Sequence, residues 1–536
     1  MLFCRLGAYV VVADEPKRFA YFVGSAPVRL ARDVSAAATI LADYKWSLRG
    51  LEGQAREKAK RECHLRGAQR LVDVFFANGG IYIKLGQHIG MLDHVVPAEY
   101  VETLRKHMLD RCPVSTLDQV RATIVEDFGR PPEELFAHFG AEPLASASLA
   151  QVHEARDWDG KRLAVKVQHR GLRENSAVDL ATIDFLVKVL RLLAPDFDYR
   201  WLVAETRENL PKELDFLHEA SNSERCRANL DAPQSGVRGR VAVPAVDHAR
   251  TSHRVITMEF IEGVKVTDLE GLKRLRAPAS AVSKLVSETF NEMVFKWGYV
   301  HCDPHDGNLF VRQAPKDGGW QLVLLDHGLY RELDDSFRLE YAGLWRSLIF
   351  ADEEGIRRHA VAMNAGSSVP LFAGMLTNRP WEEVTRKGAP VERLQLKYTE
   401  EEAAMIQEHA ARYAQEITEL LGKMPRQLLL LLKTNDCLRS VDVQLGTPVN
   451  TFVITARACI RALSAERWHS QAGLGSLVAI ARDVLQVEFR MAVLRLLTWA
   501  AEWELWLKGD KGQQQAELQA AQAVGGLPAM AEVATA

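Results

Sequence analysis

The chain has 536 residues, 47% hydrophobic and 26% charged. That is length enough for roughly two to four domain-sized units, or one large domain with additions. Its 67 Lys and Arg against 70 Asp and Glu leave a formal net charge of −3, without the basic excess of a dedicated nucleic-acid binder. Ordinary Gly and Pro content excludes a collagenous or wholly disordered chain. The apolar stretch 485–507 is interrupted by Glu488, Arg490, Arg495, Glu502 and Glu504, so a channel of long apolar spans is excluded too. The cysteines (Cys4, Cys63, Cys112, Cys226, Cys302, Cys437, Cys459) are scattered and form no C-x-x-C pair. They read as free thiols in a reducing compartment.

Residues 1–50 are mixed in character. Val10, Val11 and Val12 are apolar, but Asp14 and Glu15 follow too soon for a secretory core. Arg29 and Arg32 suit an organelle transit peptide, whereas Asp14, Glu15 and Asp33 do not. The segment is a candidate targeting or membrane-proximal region with no compartment written in it. From 51 to 76, charges alternate with Leu71, Val74 and Phe75 at helical spacing, and Asn78-Gly79-Gly80 supplies the stop. A second helix starts near Ile81 and carries Lys84, Gly86 and Gln87. Two further helices are expected over 98–109 and 116–128, opened by turns containing Pro97 and Pro113.

Near Glu142 the texture changes. Residues 143–152 are small and polar, and a strand ends at Ala155. Asp157-Trp158-Asp159-Gly160 is hairpin turn chemistry, and Arg162 to Gln168 alternates as a strand, with Lys166 between Val165 and Val167. Helices are predicted over 174–193 and 201–230, then a strand over 254–261. Beyond Ser280 almost everything reads helical except a hairpin-like stretch over 308–325. The Leu428–Leu432 run reads as a buried helix face. A helix with Trp499, Trp503 and Trp506 reads as core packing ahead of a membrane-interface role. The Ala/Gln/Gly-rich tail after Gly509 lacks an apolar stripe and reads as disordered.

The densest chemistry is His301 to Leu309, HCDPHDGNL. In phosphoryl transfer a carboxylate orients or deprotonates the acceptor while a nearby amide oxygen holds a metal, and Asp303 followed by Asn308 has that offset. A short apolar strand, residues 322–325, leads directly into Asp326-His327-Gly328, where a carboxylate suits a phosphate-bridging Mg2+. The two motifs, 23 residues apart with a hairpin between, match a kinase catalytic loop followed by its metal loop. Upstream, a mid-strand lysine such as Lys166 is costly unless paired. Glu213 and Glu219 are the candidate partners, read as lying on one helix. His301 and His305 flank Asp303, but a zinc site would want a third ligand.

Together, Lys84-Leu85-Gly86-Gln87, residues 143–153 (PLASASLAQVH), Lys166, Glu213 with Glu219, HCDPHDGN and Asp326-His327-Gly328 resemble the UbiB/AarF-domain atypical kinase family. The likeness runs from about Arg61 to Leu463 and is nearest the mitochondrial AarF-domain branch with D-H-G in place of D-F-G. The resemblance implies an α+β, bilobed protein-kinase-like fold: a small β-containing N-lobe, a large helical C-lobe and an N-terminal helical extension over the active site. It implies ATP and Mg2+ as cofactors. Lys166 would contact the phosphates and pair with Glu213, Asp303 would be the catalytic-base equivalent, and Asn308 and Asp326 would hold the metal. Lys84 and Gln87 would belong to a regulatory extension tied to the cleft by Glu219. The loop Ala145, Ser146, Ala147, Ser148 would cover the nucleotide, with Glu259 as a further nucleotide contact.

A loop of Ala and Ser lacks the left-handed freedom of glycine and should be stiffer than a Gly-rich loop. Cys302 stands where many kinases have the arginine that reads a phosphorylated activation loop, so phosphorylation-gated protein kinase activity is not expected. Asp306 departs from the family's usual proline and is expected to face water, and His327 replaces an apolar spine residue. The expected organisation is an N-terminal segment 1–50, a helical extension 51–136, an N-lobe 137–262, a C-lobe 263–509 and a disordered tail 510–536. The function implied is an ATP-binding atypical kinase or ATPase supporting organelle-membrane lipid or isoprenoid-quinone homeostasis. The rivals are a small-molecule phosphotransferase and a non-catalytic nucleotide-switched membrane scaffold. Nucleotide, membrane lipids and membrane proteins are the expected partners, with no nucleic acid. Residence would be mitochondrial, with the plastid as the alternative, and membrane-associated.

Overall fold

The computed structural model describes residues 16–90, 96–108, 114–193, 200–315, 318–385, 420 and 423–470, with scattered positions from 473 to 489. The tail, the tryptophan-bearing stretch 499–506 and Val10–Val12 lie outside the described residues. The described chain groups into two compact units. One holds residues 16–221, 245–260 and 420, and the other holds 222–244, 261–385 and 423 onward.

The first unit opens with α1 (Pro16–Ser47), a 32-residue helix in the segment read as a candidate targeting or membrane-proximal region. Polar ties fasten it along its length. Arg29 Nε donates to Asp179 at 2.8 Å, Asp33 accepts from Asn78 at 2.8 Å and from Tyr82, and Asp43 takes Arg66 and Arg70. Burial pushes the Asp33 carboxyl up to about 6, whereas the arginines hold Asp43 below the ordinary carboxylate range.

Next come α2 (Gly53–Asn78), α3 (Ile81–Ile89), α4 (Ala98–Met108), α5 (Leu117–Phe128) and the single turn α6 (Pro132–Leu135). The stop after α2 falls where the glycine pair predicts it, with Gly79 at φ 63° and Gly80 at φ 58°. Thr116 and Gln119 close a reciprocal capping box at the start of α5. Val72, Phe75, Ile83, Leu104 and Met108 bury the facing stripes of these helices.

The sheet of this unit is antiparallel, in the order β1-β2-β3-β5. Its strands are β1 (His138–Ser146), β2 (Ala150–Arg156), β3 (Arg162–Gln168) and, after the helices, β5 (Val255–Glu259). The β2–β3 turn closes with Asp157 N–H on Lys161 O and Gly160 N–H on Asp157 O, both at 3.0 Å. On one face of β3, Val165 and Val167 pack with Val120, Ile124 and Phe136; the other face carries Ala164, Lys166 and Gln168.

After β3 come α7 (Leu172–Leu193), α8 (Arg200–Glu213) and α9 (Phe216–Asp231), where the sequence suggests one helix from 201 to 230. Pro211 lacks an N–H near the end of α8, and Asp215 restarts the chain by accepting the Leu217 N–H at 3.1 Å.

The second unit is mainly helical. A four-stranded sheet of order β4-β9-β8-β6 joins β4 (Val241–Ala242), β6 (Gly263–Lys265), β8 (Leu309–Gln313) and β9 (Trp320–Leu324). A pair of three-residue strands, β7 (Tyr299–His301) and β10 (Tyr330–Glu332), sits inside a region that reads as helical in sequence. Strands that short hold too few residues to show a period. Its helices are α10 (Leu269–Arg274), α11 (Ala279–Glu292), α12 (Asp335–Phe350), α13 (Glu353–Ala362), α14 (Val369–Thr377), α15 (Trp381–Val384), α16 (Arg426–Gln444) and α17 (Thr451–Ser470). Leu428, Leu430, Leu431 and Leu432 are buried in α16, as a core face requires. No helix of the described residues is long and apolar enough to cross a membrane. The architecture is α+β.

Candidate nucleotide and metal site

The residues expected to carry chemistry fall into two groups, one in each unit. In the first unit, the turn between β1 and β2 holds the alanine-rich loop. Ala147 N–H donates to Ala150 O at 2.8 Å, and His169, just past β3, donates from its backbone to Leu149 O at 3.0 Å. The His169 ring adds Nε2–H to Ala147 O, also at 3.0 Å. No residue from Ala145 to Ala150 takes a left-handed φ. Ala145 and Ala147 are exposed, Ser146 is half-buried and Ser148 is buried. At the far end of the sheet, the Glu259 N–H donates to Ala245 O at 2.8 Å, and its carboxylate accepts the Ala245 N–H at 3.4 Å.

Lys166 is the central cation of this group, and its partner differs from the expected one. Its Nζ lies 2.8 and 2.9 Å from the two carboxylate oxygens of Glu219. Glu213 pairs instead with Lys84, at 3.1 Å. The cause is the break between α8 and α9. Gln168 Nε2 donates to Leu214 O at 2.9 Å, and Phe216 N–H donates to His253 O at 3.0 Å, so the junction is fixed beside the end of β3. Glu219, in the first turn of α9, then faces β3, while Glu213, in the last turn of α8, faces α3. Both carboxylates are buried, so each pairing is strongly constrained. Gln87 donates to Met108 O at 3.3 Å and so joins α3 to α4. Gly86 is required by packing: a Cβ there would meet Met108 and Phe75 at 2.9 Å.

In the second unit, Asp303 follows β7. His305 N–H donates to Asp303 O at 3.0 Å, and Asn308 Nδ2 donates to the same oxygen at 3.0 Å. Asn308 O in turn accepts the Leu325 N–H at 3.0 Å, next to Asp326. One asparagine therefore joins the two loops. Asp326 Oδ1 accepts the Gly328 N–H at 2.9 Å. With the Asn308 amide nitrogen committed, its side-chain oxygen is the atom offered outward. Asn308 and Asp326 provide hard oxygen donors, which fit a Mg2+ that takes its remaining ligands from phosphate and water.

His327, between Asp326 and Gly328, is buried. Its Nε2 donates to Leu324 O at 3.1 Å and its Nδ1 accepts from Tyr330 OH at 2.9 Å, so both ring nitrogens are satisfied. Its carbonyl accepts from Asn222 at 2.9 Å. His301 stacks on Tyr330 with ring centroids 5.3 Å apart, and burial drives its pKa down to about 4 against the opposing pull of Asp303 and Asp326. His305 accepts the Gly307 N–H on Nδ1 at 3.1 Å. Among the described residues no group of three or more His, Cys, Asp or Glu is placed to hold a metal ion. Asp306 lies partly exposed, 3.7 Å from Lys265. The Cys302 thiol is fully buried and pushed up to about 12.

Comparison with known proteins agrees with these motifs. Residues 107–360 match the ABC1 atypical kinase-like domain. An ABC1 protein of Arabidopsis thaliana is 43% identical over 504 residues, covering 92% of this chain and 93% of that one. The AarF domain-containing protein kinase 1 of Mus musculus is 39% identical over 499 residues, covering 90% and 92%. The chain belongs to the ABC1/AarF atypical kinase-like family. Among solved structures, the Rv3197–erythromycin complex of Mycobacterium tuberculosis is 23% identical, covers 68% of this chain and 95% of that one, and superposes with a TM-score of 0.41. Kinase-like folds use ATP and a metal in general, and this ABC1/AarF chain has the fold class to match.

One residue beside the HCDPHDGN motif escapes motif reading. Lys433, in α16, brings Nζ to 2.9 Å from Asp303 Oδ1, with both side chains mostly buried. It lies 130 positions from Asp303 in sequence. A signal was available: a lysine directly after a run of five leucines sits at the edge of a buried face and needs a partner there.

Proposed function

We propose that the chain is an ATP-binding, Mg2+-dependent atypical kinase or ATPase. The observation that supports it most is the Asn308 junction, which holds the loops of Asp303 and Asp326 together through two backbone-directed hydrogen bonds. On this reading Lys166, oriented by both oxygens of Glu219, binds nucleotide phosphates as a fixed point charge. Asn308 and Asp326 hold the metal, which when bound supplies neutralisation of phosphate charge. Asp303 orients the acceptor hydroxyl or water and takes its proton, and Lys433 holds that carboxylate in place and in its charged form. Ala145, Ser146 and Ala147, the more exposed residues of the loop, and Glu259 contribute nucleotide contacts, whereas Ser148 is buried. Lys84, Gln87, Gly86 and Glu213 form a regulatory unit.

The wider role proposed is support of membrane lipid or isoprenoid-quinone homeostasis in the mitochondrion, with association to membrane lipids or proteins. Purified protein with Mg-ATP tests the chemistry. ADP formation that is abolished in Asp326→Asn, with nucleotide binding retained in Asp303→Asn, is the expected outcome. Nucleotide binding without any ADP formation would sink the catalytic reading in favour of a nucleotide-switched scaffold. ADP release only on addition of a small hydroxyl acceptor would favour a phosphotransferase. Fractionation of cells expressing the chain tests its residence; recovery in the cytosol alone would overturn the mitochondrial assignment.

A further inference from the structure

Behind the alanine-rich loop, in the first unit, lies a cavity of about 230 Å3. It is distinct from the nucleotide face. His169, on its wall, continues the face of β3 that carries Val165 and Val167, opposite Lys166 and Gln168. Two helices begin at it: α3 through Gly80 and Ile81, and α7 through Gly171 and Leu172. A helix first turn presents N–H groups without intrahelical acceptors and carries partial positive charge; α7 offers such a turn, whereas in α3 the Tyr82 and Ile83 N–H groups already bond Gly79 O and Gly80 O at 3.2 Å. Ser148, also on the wall, is only 4% exposed, and its hydroxyl has no hydrogen-bond partner among the described residues.

The acceptors around the cavity are, in contrast, already engaged. Both Asp179 oxygens take Arg29, which also donates to Asn78 O, and Ala147 O takes the His169 ring. That bond leaves His169 Nδ1 to accept from the Ser115 hydroxyl at 2.7 Å. Gln119 has its oxygen on the Thr116 N–H. Arg170 stands at the rim, half exposed and ion-paired with Glu126. The Ser148 hydroxyl and the first turn of α7 are therefore the polar groups offered to a ligand.

We propose that this cavity binds a phosphate monoester or inorganic phosphate, as a second anion site on the back of the alanine-rich loop. The volume admits several water-sized groups, enough for a phosphate with a small ester substituent. Helix N-termini and a buried hydroxyl are the groups that recognise such an anion. The proposal does not rest on the phosphoryl-transfer reading, since the cavity faces away from Lys166.

The test is titration of the full chain with inorganic phosphate, followed by 31P NMR and calorimetry. Saturable binding with Kd of about 1 mM or tighter is expected, weakened about tenfold by Ser148→Val and several-fold by Arg170→Gln. Saturating Mg-ATP should leave that affinity within about twofold, because the two sites lie on opposite faces. Arg170→Gln alters only a half-exposed rim residue, so the test survives if Ser148→Val fails to fold. Glycerol 3-phosphate and phosphatidylcholine vesicles containing phosphatidic acid separate the sources. Binding of the soluble phosphates assigns a free metabolite, and binding of the vesicles alone assigns a lipid headgroup. No binding of any of the three would overturn the proposal. So would phosphate binding indifferent to both substitutions, or binding displaced stoichiometrically by Mg-ATP.

Discussion

Lys433 and Asp303 stand 2.9 Å apart, Nζ to Oδ1, although α16 and the loop after β7 are remote in sequence. Removing the lysine leaves a mostly buried carboxylate without its cation. Lys433→Met should lower stability by roughly 2–3 kcal/mol, a little under the cost for a fully buried pair because both side chains touch water. Urea unfolding of Lys433→Met, Asp303→Asn and the double variant measures the coupling. If the double variant loses the sum of the two single losses, the pair carries no interaction energy. ADP formation by Lys433→Met should fall at least tenfold, and Lys433→Arg should restore part of it.

The exchanged ion pairs make opposite forecasts for two neighbouring glutamates. Glu219→Gln should weaken Mg-ATP binding by at least about tenfold, because Lys166 loses both of its carboxylate contacts. Glu213→Gln acts on Lys84 and should leave nucleotide affinity within about threefold. Equilibrium binding of a fluorescent ATP analogue decides the matter. Equal losses in both variants would mean the carboxylates act as one cluster.

His301 gives a pH signature. Its folded pKa is about 4 against an ordinary 6.5, so between those values the unfolded state binds the proton and the folded state does not. Stability from this residue is present above pH 6.5 and is lost as pH falls through the window, by roughly 3 kcal/mol in total. His301→Phe keeps an aromatic ring against Tyr330 and removes the titration. The slope of unfolding free energy between pH 6.5 and 4 should be shallower in that variant. An unchanged slope would reassign the effect to other groups.

Gly86 tests whether the K-x-G-Q glycine serves packing or ligand approach. A Cβ placed there meets Met108 and Phe75 at 2.9 Å, so Gly86→Ala should cost about 1–3 kcal/mol through overpacking. Measured against Met108→Ala, which itself opens a cavity, Gly86→Ala should cost less in thermal denaturation than it does beside the intact Met108. An equal cost of Gly86→Ala in both backgrounds would point away from this contact.

Much of the site could be read from sequence because its signals are local. Asn78-Gly79-Gly80 marks a helix stop, and the Asp303–Asn308 and Asp326 loops keep a fixed spacing around a hairpin. What escaped reading depends on tertiary choice. Glu213 and Glu219 have the same chemistry, and the Gln168–Leu214 and Phe216–His253 bonds at the α8–α9 junction decide which lysine each one meets. Lys433 reaches Asp303 across a separation no motif spans. β7 and β10 are three residues each, too short to show alternation, and α1 is held by Asp33, Asp43 and Arg29 acting at distances invisible along the chain.

The loop from Ala145 to Ala150 folds without any left-handed backbone angle. Its shape is therefore open to any L-residue as far as the backbone is concerned, and side-chain bulk alone restricts what it can carry. Glycine introduced there would widen the set of conformations the loop visits without relieving any strain. Larger residues would act on space and leave the backbone path intact. Loop entropy and loop volume can thus be varied separately in one short segment, so the contribution of lid stiffness to nucleotide exchange is open to measurement by graded substitution.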